Sequence, residues 1–352
     1  MVTAPLRVAL LGYGLAGSVF HAPLIAAVPG LRLAAVVTRD PERSAQARAD
    51  LPGVEVLASA DDVWARAADL DVAVVATTNR THVPLALAAV DAGLAVVVDK
   101  PLATSAAEAR RLVEAARSAG VVLTTYQNRR WDGDLLTLRR LVGSGALGQV
   151  RRFESRFERW RPTPKPGWRE TGTLDDAGGV LNDLGSHVVD QALLLFGPVE
   201  RVHGEVLRRR AGVDVDDDAF VALTHTSGTV SHLWMSAVAA DLGPRFRVLG
   251  SEAAYVKHGF DVQEAALRTG ARPDDPGFGD EPETAWGRVG SPGDERPAPT
   301  ERGDYRAFYV ALERAVRGEG PVPVDPDDSV RGLDVLEAAR RSAAEGVVVP
   351  LG

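Results

Sequence analysis

Lys100 is a candidate for proton transfer because of its position after a predicted strand. It follows the apolar run 96–98 directly, within the segment Asp99-Lys100-Pro101. In an open α/β sheet, ligands gather beyond the carboxyl ends of the strands, and a partly buried lysine there can have a pKa suited to proton transfer. The chain has only three lysines, and arginine does not release its proton at neutral pH. The alternative is a solvated lysine that caps the strand.

A second candidate set lies on a predicted helix, Gly179–Phe196. Asp183 and His187 are four residues apart and therefore share one helix face, with Asp190 three residues further on nearly the same side. An apolar stripe buries the opposite side: Leu184, Val188, Ala192 and Leu195. A carboxylate and a histidine in this arrangement can orient a substrate hydroxyl and exchange its proton. The alternative is a pair that stabilises the helix. No further ligands accompany the pair, so we expect no metal.

A glycine-rich turn near the N-terminus predicts a dinucleotide site. The sequence G-Y-G-L-A-G spans residues 12–17, after an apolar strand and at the start of a helix. The first glycine permits the tight turn, the second lets a pyrophosphate approach the backbone, and the third lets helix and strand pack closely. The unpaired N–H groups of the helix attract the pyrophosphate. The residues expected to bind the cofactor are Gly12, Gly14, Leu15, Ala16 and Gly17.

The end of the second predicted strand distinguishes the two nicotinamide cofactors. NAD enzymes usually place Asp or Glu there to bind the ribose 2′-hydroxyl. This strand ends instead in Thr38-Arg39-Asp40. Thr38 offers a hydroxyl and Arg39 a guanidinium that suits a 2′-phosphate, which favours NADP. In the alternative, Asp40 binds the ribose and the cofactor is NAD.

Three further strand ends reach the same edge of the sheet. The fourth strand is followed by Thr77, Thr78, Asn79 and His82, the fifth by Asp99 and Lys100, and the sixth by Tyr126, Gln127 and Asn128. Because ligands collect at this edge, all of these except Tyr126 and Gln127 are predicted to bind the cofactor.

The elements that position these residues alternate along residues 1–126. Strands are predicted at Leu6–Leu11, Leu31–Val37, Val54–Leu57, Val72–Ala76, Ala95–Val98 and Val121–Thr125. Helices are predicted at Gly14–Val28, Pro41–Ala49, Asp61–Ala67, Thr81–Ala92 and Ser105–Ser118. Strands that are apolar throughout indicate a sheet covered on both faces. This half is therefore predicted to be a Rossmann domain, a doubly wound parallel sheet.

Residues 127–352 show another pattern, which predicts an α+β domain. A helix is predicted at Asp134–Leu141, and period-two alternation predicts strands at Val150–Trp160, Val202–Arg209, Ala219–Thr226 and Thr229–Ala237, with a hairpin turn at Ser227-Gly228. Such strands form a large, mostly antiparallel open sheet. The Pro-, Gly- and acid-rich stretch 271–303 reads as a surface excursion, or alternatively as a lid or an oligomer contact. Helices at Tyr305–Arg317 and Asp327–Ala344 end the chain, and the last is a candidate to pack back on the first domain.

Composition excludes several classes of function. The net charge of −8 argues against nucleic-acid and anionic-membrane partners, which reward basic surfaces. The absence of cysteine excludes disulfides, thiol nucleophiles and zinc–thiolate sites. No 18-residue window is uncharged and apolar, and the N-terminus lacks the longer apolar core of a secretory signal. We therefore expect a soluble, cytoplasmic protein.

Taken together, these segments resemble the glucose–fructose oxidoreductase/inositol dehydrogenase (Gfo/Idh/MocA) family over essentially the whole chain. The resemblance rests on GYGLAGSVFHAPL, TTNRTH at 77–82, DKP at 99–101 and GGVLNDLGSHVVDQ. TTYQNRRWDGD, NDLGSHVVDQALLLFG, GPRFRVLGSEAAYVKHG and DVQEAALRTG are similar to the family's NADP-dependent scyllo-inositol 2-dehydrogenase branch. Asp99 departs from the family's usual Glu, a change that keeps the charge.

The resemblance implies a catalytic group of Lys100, Asp183 and His187. His187 would be the principal acid/base, Lys100 would bind the reacting hydroxyl and assist proton transfer, and Asp183 would orient both substrate and His187. Hydride would pass between a ring carbinol of a cyclitol or sugar and the nicotinamide. Further polar partners for substrate hydroxyls are expected among Tyr126, Asn128, Arg129, Arg130, Trp131, Arg156, Trp160, Arg161, Trp168 and Arg169. From this set we predict that four residues bind the substrate: Tyr126, Arg129, Trp160 and Trp168.

The resemblance also implies a homodimer or homotetramer through the second domain's sheet. Two alternatives remain for the activity: a keto-sugar or amino-sugar reductase of secondary metabolism, and a non-catalytic NADP-binding regulator on the same fold. The presence of Lys100, Asp183 and His187 together argues against the regulator.

Overall fold

The computed structural model describes residues 4–164, 167, 172–173 and 176–352, and the chain forms two compact units. The first unit comprises residues 1–128, 263–278 and 304–330, and the second comprises residues 129–262, 279–303 and 331–352. Two segments from the second half of the chain are thus grouped with the N-terminal residues.

The first unit contains a six-stranded sheet in the order β3-β2-β1-β4-β5-β6. The strands are β1 (Leu6–Leu11), β2 (Leu31–Val37), β3 (Glu55–Leu57), β4 (Val72–Val75), β5 (Ala95–Asp99) and β6 (Leu123–Tyr126). Every neighbouring pair is parallel. The central strands β4 and β5 consist largely of fully buried valines, as a sheet covered on both faces requires. The strand order reverses between β1 and β4, which creates the crevice where such sheets bind ligands.

Helices follow these strands in turn. They are α1 (Ala22–Ala26), α2 (Pro41–Asp50), α3 (Ala60–Trp64), α4 (His82–Asp91) and α5 (Ala106–Ala119), joined in this unit by α9 (Gln263–Arg268) and α10 (Arg306–Val316). The predicted helix Gly14–Val28 is shorter and less regular than expected, because a π-helical segment, Ala16–His21, precedes α1. Such wide turns often occur at functional sites.

The second unit is built on a nine-stranded sheet in the order β14-β13-β12-β11-β7-β10-β9-β8-β15. Its strands are β7 (Val150–Glu158), β8 (Val199–Leu207), β9 (Asp218–His225), β10 (Val230–Ser236), β11 (Phe246–Gly250), β12 (Ala254–Lys257), β13 (Gly287–Gly290), β14 (Arg296–Ala298) and β15 (Val349–Pro350). All pairings are antiparallel except that of β7 with β10. The predicted fold class, a Rossmann domain followed by an α+β domain with a large, mostly antiparallel sheet, is confirmed.

The sequence analysis missed part of this sheet. β11 and β12 were not predicted, and β13 and β14 fall inside the stretch 271–303, which was interpreted as a surface excursion and for which no strand was predicted. These strands are only three to five residues long. So short a segment shows little periodicity, and its strand conformation depends on pairing with distant residues.

The remaining helices are α6 (Gly133–Gly143), α7 (Val180–Asp183), α8 (Gly185–Phe196) and α11 (Pro326–Glu345). The single helix predicted at Gly179–Phe196 is wrong in one respect, because the structure breaks it at Leu184. Asp183 therefore ends one helix and His187 lies in the first turn of the next. No helix of the described residues is long and apolar enough to cross a membrane.

Candidate active site

The glycine turn has the geometry that a dinucleotide site requires. Gly12 has φ of 101°, and a Cβ there would overlap the Ala76 carbonyl oxygen. A Cβ on Gly17 would overlap the carbonyl oxygen of Gly12, so this glycine lets the helix approach the strand. Beside Gly14 the nearest atom, in the Arg43 guanidinium, would lie 3.7 Å away. The backbone at Gly14 is thus open to a pyrophosphate, and the turn fits the predicted cofactor.

Asp40, at the end of β2, is engaged by the backbone of α2. It is the N-cap of this helix, and its Oδ1 accepts hydrogen bonds from the backbone N–H groups of Glu42 (2.9 Å) and Arg43 (3.1 Å). Its other oxygen lies 3.6 Å from Arg43 Nε. Arg39 is exposed and makes no hydrogen bond or salt bridge to any described residue. The groups at this strand end that can meet a ligand are therefore mainly cationic.

His82 joins the loops that follow β4 and β5. Its imidazole is fully buried, with Nδ1 2.8 Å from the Pro101 carbonyl oxygen and Nε2 3.3 Å from that of Thr77. Burial lowers the pKa of His82, although the charge of Asp99 opposes this effect. A neutral, buried imidazole with backbone partners supports the loops around it. A contact between His82 and the cofactor stays a prediction.

The loop between β4 and α4 is held by its own hydroxyl groups. Thr81 Oγ1 lies 2.7 Å from Thr77 Oγ1 and donates a hydrogen bond to the Thr78 carbonyl oxygen at 2.7 Å. Thr78 is exposed, whereas Asn79 is 8% exposed. The loop therefore has a defined shape at the carboxyl edge of the sheet, where a cofactor is expected.

Asp99 and Lys100 end β5 as expected, and both are partly buried. Asp99 Oδ1 accepts a hydrogen bond from the Lys100 backbone N–H at 2.9 Å and lies 3.8 Å from His21 Nε2. Burial raises the pKa of the Asp99 carboxyl, but His21 and Lys100 outweigh that effect and lower it. Asp99 is therefore an anion beside the backbone of Lys100.

Behind Asp99 lies a buried aromatic cluster. His21 Nδ1 is 2.5 Å from the Tyr309 hydroxyl, and both side chains are fully buried. Burial, with Tyr126 and Asp99 nearby, raises the pKa of Tyr309 well above its ordinary value, so its hydroxyl stays protonated. Tyr126 is 2% exposed, and its hydroxyl donates to the Phe20 carbonyl oxygen at 3.2 Å. This environment favours a supporting role for Tyr126 over the substrate contact predicted for it.

In the second unit, Asp183 lines a cleft with three arginines: Arg159, Arg161 and Arg210. Asp183 is partly buried, and its backbone N–H donates to the Gly179 carbonyl oxygen at 3.0 Å, which closes the single turn of α7. The cleft offers a carboxylate among guanidinium donors, a combination that can bind several hydroxyl groups of one molecule.

His187 is held against an aromatic ring. Its side chain is 6% exposed, and its imidazole stacks on Phe157 with centroids 6.0 Å apart and planes at 23°. The Arg129 guanidinium carbon lies 4.7 Å from the centroid of the same ring, and Arg129 NH1 lies 3.3 Å from Asp132. The packing thus fixes the orientation of His187.

Asp190 does not act with His187 as a free carboxylate. Its two oxygens accept hydrogen bonds from Arg130 Nε (2.9 Å) and NH2 (2.6 Å), and both side chains are buried. This bidentate pair ties α8 to the segment before α6. Arg130, named as a potential substrate partner, is committed to that structural bond.

Of the two tryptophans predicted to bind substrate, the structure describes only Trp160. Trp160 follows β7 and is 55% exposed. Trp168 and Arg169 lie outside the described residues.

Asn128 is the last residue of the first unit and is 7% exposed, at the start of a 3₁₀ turn, Asn128–Trp131. Among the described residues, no group of three His, Cys, Asp or Glu side chains could hold a metal ion.

Comparison with protein families gives a clear result for both units. Residues 6–127 match the model of the oxidoreductase family with an NAD-binding Rossmann fold, and residues 135–256 match the Gfo/Idh/MocA C-terminal domain. The chain belongs to the Gfo/Idh/MocA family. It is therefore an oxidoreductase with an NAD(P)-binding Rossmann domain, as the resemblance implied.

Several Gfo/Idh/MocA relatives align over nearly the full chain. The uncharacterized oxidoreductase YdgJ of Escherichia coli is 38% identical, with 96% of each chain covered. IolW of Bacillus subtilis, a scyllo-inositol 2-dehydrogenase (NADP⁺), is 32% identical over 97% of this chain and 94% of its own. The solved structure of the putative oxidoreductase yvaA from B. subtilis superimposes with a TM-score of 0.93 at 31% identity, with 99% of both chains covered.

Two residues of this Gfo/Idh/MocA protein were missed by the sequence analysis. Arg43 lies beside both Gly14 and Asp40. Asp followed by Pro marks a helix start, so the sequence Asp40-Pro41-Glu42 could have shown that Arg43 lies in the first turn of α2. His21 lies behind Asp99. It stands in the GYGLAGSVFHAPL segment, but nothing local shows that it approaches a residue 78 positions later.

Proposed function

We propose that this protein transfers a hydride reversibly between NADP and a ring carbon that bears a hydroxyl group, in a cyclitol or sugar. One observation carries the proposal: IolW, named for this reaction on scyllo-inositol, is similar over nearly the whole chain. The glycine turn, Lys100, Asp183 and His187 supply the residues that such a reaction needs. The cytoplasmic location that the sequence led us to expect stays a prediction.

The proposed roles divide the reaction between proton and hydride. His187 takes the hydroxyl proton as the alcohol is oxidised and returns it when the ketone is reduced. Lys100 binds the reacting oxygen and assists that transfer, and Asp183 orients the substrate and His187. When bound, the nicotinamide accepts or supplies the hydride. Loss of the proton makes the alkoxide a better hydride donor, so proton and hydride leave the same C–OH group.

The proposed activity is tested with a panel of inositols, aldoses and their keto forms, assayed by the absorbance of the reduced cofactor. We expect at least one inositol to be oxidised with NADP⁺ and its keto form to be reduced with NADPH. Turnover of keto- or amino-sugars in place of inositols would support the reductase alternative. Tight NADPH binding without turnover of any compound would contradict the proposal and support the regulator.

The choice of NADP is supported by the contacts of Asp40. Asp40 Oδ1 accepts two backbone hydrogen bonds at the N-terminus of α2, so the carboxylate is held on the helix and only Oδ2, 3.6 Å from Arg43 Nε, is left for a ribose 2′-hydroxyl. Arg39 is exposed, and Thr38 offers its hydroxyl beside it. We propose that Arg39 and Arg43 bind the 2′-phosphate, with Thr38 as a further donor.

The ratio of kcat/KM for NADP⁺ to that for NAD⁺ tests this site. Loss of a charge-assisted contact costs about 1.5–3 kcal/mol, so Arg39→Ala should lower the ratio by roughly 10- to 100-fold. Arg43→Ala should lower it too; an equal loss for both cofactors would place Arg43 on the pyrophosphate instead. Arg48→Ala, an exposed arginine further along α2, is the matched control and should leave the ratio unchanged. An unaltered ratio in Arg39→Ala would remove the case for Arg39.

We also propose a homodimer or homotetramer through the nine-stranded sheet. α8 packs on one face of β7 and β10. The other face carries partly exposed aromatic groups: Phe220 and Trp234 have ring centroids 5.1 Å apart, and the Arg156 guanidinium carbon lies 4.0 Å from the Trp234 ring. Aromatic residues and arginine are typical of protein interfaces. The mass of the protein in solution tests this proposal, and a monomer would contradict it.

A further inference from the structure

The helix that carries Asp183 cannot be stable by itself. α7 has four residues, and its N-cap, Gly179, has no side chain to accept a hydrogen bond from the first N–H groups. Its C-terminal end continues through Leu184 into α8, but its first N–H groups have no partner within the helix and must be satisfied from elsewhere. The position of the Asp183 carboxylate depends on those contacts.

Asp216, which precedes β9, supplies them. Its Oδ2 accepts a hydrogen bond from the Leu181 N–H at 2.7 Å, and its backbone carbonyl oxygen accepts one from the Val180 N–H at 2.9 Å. One residue, 35 positions along the chain, thus satisfies the first two N–H groups of α7. A carboxylate at this end of a helix is also favoured by the helix dipole.

Gly179 makes this approach feasible. Its φ is 90°, a conformation that side chains rarely adopt. A Cβ at this position would overlap the Asp216 carboxylate. The glycine before α7 and the carboxylate from the distant segment therefore fit together.

Arg340, on α11, balances the buried charge. The Asp216 side chain is 3% exposed, and its Oδ1 accepts hydrogen bonds from Arg340 NH1 and NH2, each at 3.2 Å. A buried carboxylate without such a partner would be strongly destabilising. Arg340 thus pairs with the buried carboxylate and holds it in place.

We propose that Asp216, held by Arg340, is a positioning residue for Asp183. Asp216 borders the same cleft as Asp183, but its carboxylate accepts hydrogen bonds from the Leu181 N–H and from Arg340 and so fixes the turn whose last residue is proposed to orient the substrate. The proposal rests on the proposed function for its catalytic consequence, since a small displacement of an orienting carboxylate can lower a rate by about a hundredfold.

Asp216→Ala and Asp216→Asn test the proposal in the full-length protein, with the best substrate of the panel and NADP⁺. We expect Asp216→Ala to lower kcat by about 10- to 100-fold. Asp216→Asn keeps an oxygen that can accept from Leu181 but turns its amide NH2 group toward the Arg340 guanidinium, so kcat should fall less than in Asp216→Ala but not stay at the parent value. The dissociation constant of NADPH should change less than twofold in both, because the residues expected to bind it belong to the first unit.

A matched control removes another buried ion pair of the second unit. Glu281, 5% exposed, lies 2.8 Å from Lys257 Nζ and accepts from Thr300 Oγ1. Glu281→Gln should lower the melting temperature without a comparable loss of kcat. If Asp216→Ala and Glu281→Gln lose kcat equally, Asp216 has only a general structural role and the proposal is overturned.

Hydrogen–deuterium exchange gives a second measurement that needs no turnover. In Asp216→Ala, the amides of residues 180–184 should exchange at least tenfold faster than in the parent protein, and in Glu281→Gln they should not. Unchanged exchange in Asp216→Ala would overturn the positioning role, even if activity falls. A parent protein inactive on the whole panel, with faster exchange in Asp216→Ala, would refute the proposed function and leave the structural link standing.

Discussion

Replacing Lys100 with methionine is expected to lower kcat by about 10³-fold, within the range for loss of a general acid–base group. Methionine keeps the length and the apolar stem of the side chain and removes only the amine. Lys100 directly follows β5, beside the Asp99 anion, and its loop is held by the hydrogen bond between His82 and Pro101. Because the backbone of this loop is held by His82 and not by the Lys100 side chain, a loss of kcat in Lys100→Met can be attributed to the missing amine.

Lys100→Arg separates two roles of that amine. Arginine keeps the positive charge but cannot release a proton at neutral pH. If Lys100 only binds the reacting oxygen, Lys100→Arg should recover much of the activity; if it assists proton transfer, the arginine variant should stay nearly as slow as methionine. Arg111→Met, an exposed cation on α5 of the same unit, is the control and should behave as the parent. Activity of Lys100→Met within tenfold of the parent would refute the catalytic role.

Replacing His187 with glutamine is expected to lower kcat by about 10²- to 10⁴-fold, because the principal acid/base is removed. The imidazole is buried and stacked on Phe157, so its position is fixed before substrate arrives. Cofactor affinity should be unaffected, since His187 belongs to the second unit. The pH dependence of kcat/KM should also change, because the limb due to this group is lost.

A second histidine variant controls for charge and for stability. His203 lies on β8 of the same unit with 43% of its side chain exposed, and His203→Gln should leave kcat and its pH profile unaltered. A His187→Gln protein that retains its melting temperature and a tenth or more of the parent kcat would exclude His187 as the principal acid/base.

The sequence predicted the first unit well because its signals are local. The buried valines of β4 and β5 form continuous apolar runs, and the glycine turn depends on three residues within six positions. The N-cap at Asp40 also has a local signature. Each of these features follows from the conformation or burial of neighbouring residues, so a single sequence contains the information.

The second unit was less predictable because its features depend on distant contacts. β13 and β14 extend the sheet edge with three or four residues each, rich in glycine, proline and arginine. The apolar stripe of residues 184–195 begins at Leu184 itself, so its periodicity carries no information about the break before α8. Asp216 caps α7 from 35 residues away, and nothing in the neighbouring sequence indicates this contact. The catalytic roles of Lys100, Asp183 and His187 stay predictions.

Asp40 also limits how the cofactor preference could be redesigned. Because its carboxylate caps α2, its replacement would cost about 1 kcal/mol of helix stability, and its recruitment to a ribose would sacrifice the same cap. In the proposed site, deleting the cation at Arg39 would weaken the binding of NADP without creating a partner for the ribose of NAD. Converting the proposed NADP site to one for NAD would therefore require a new acidic side chain at position 38 or 39, added while Asp40 stays in place.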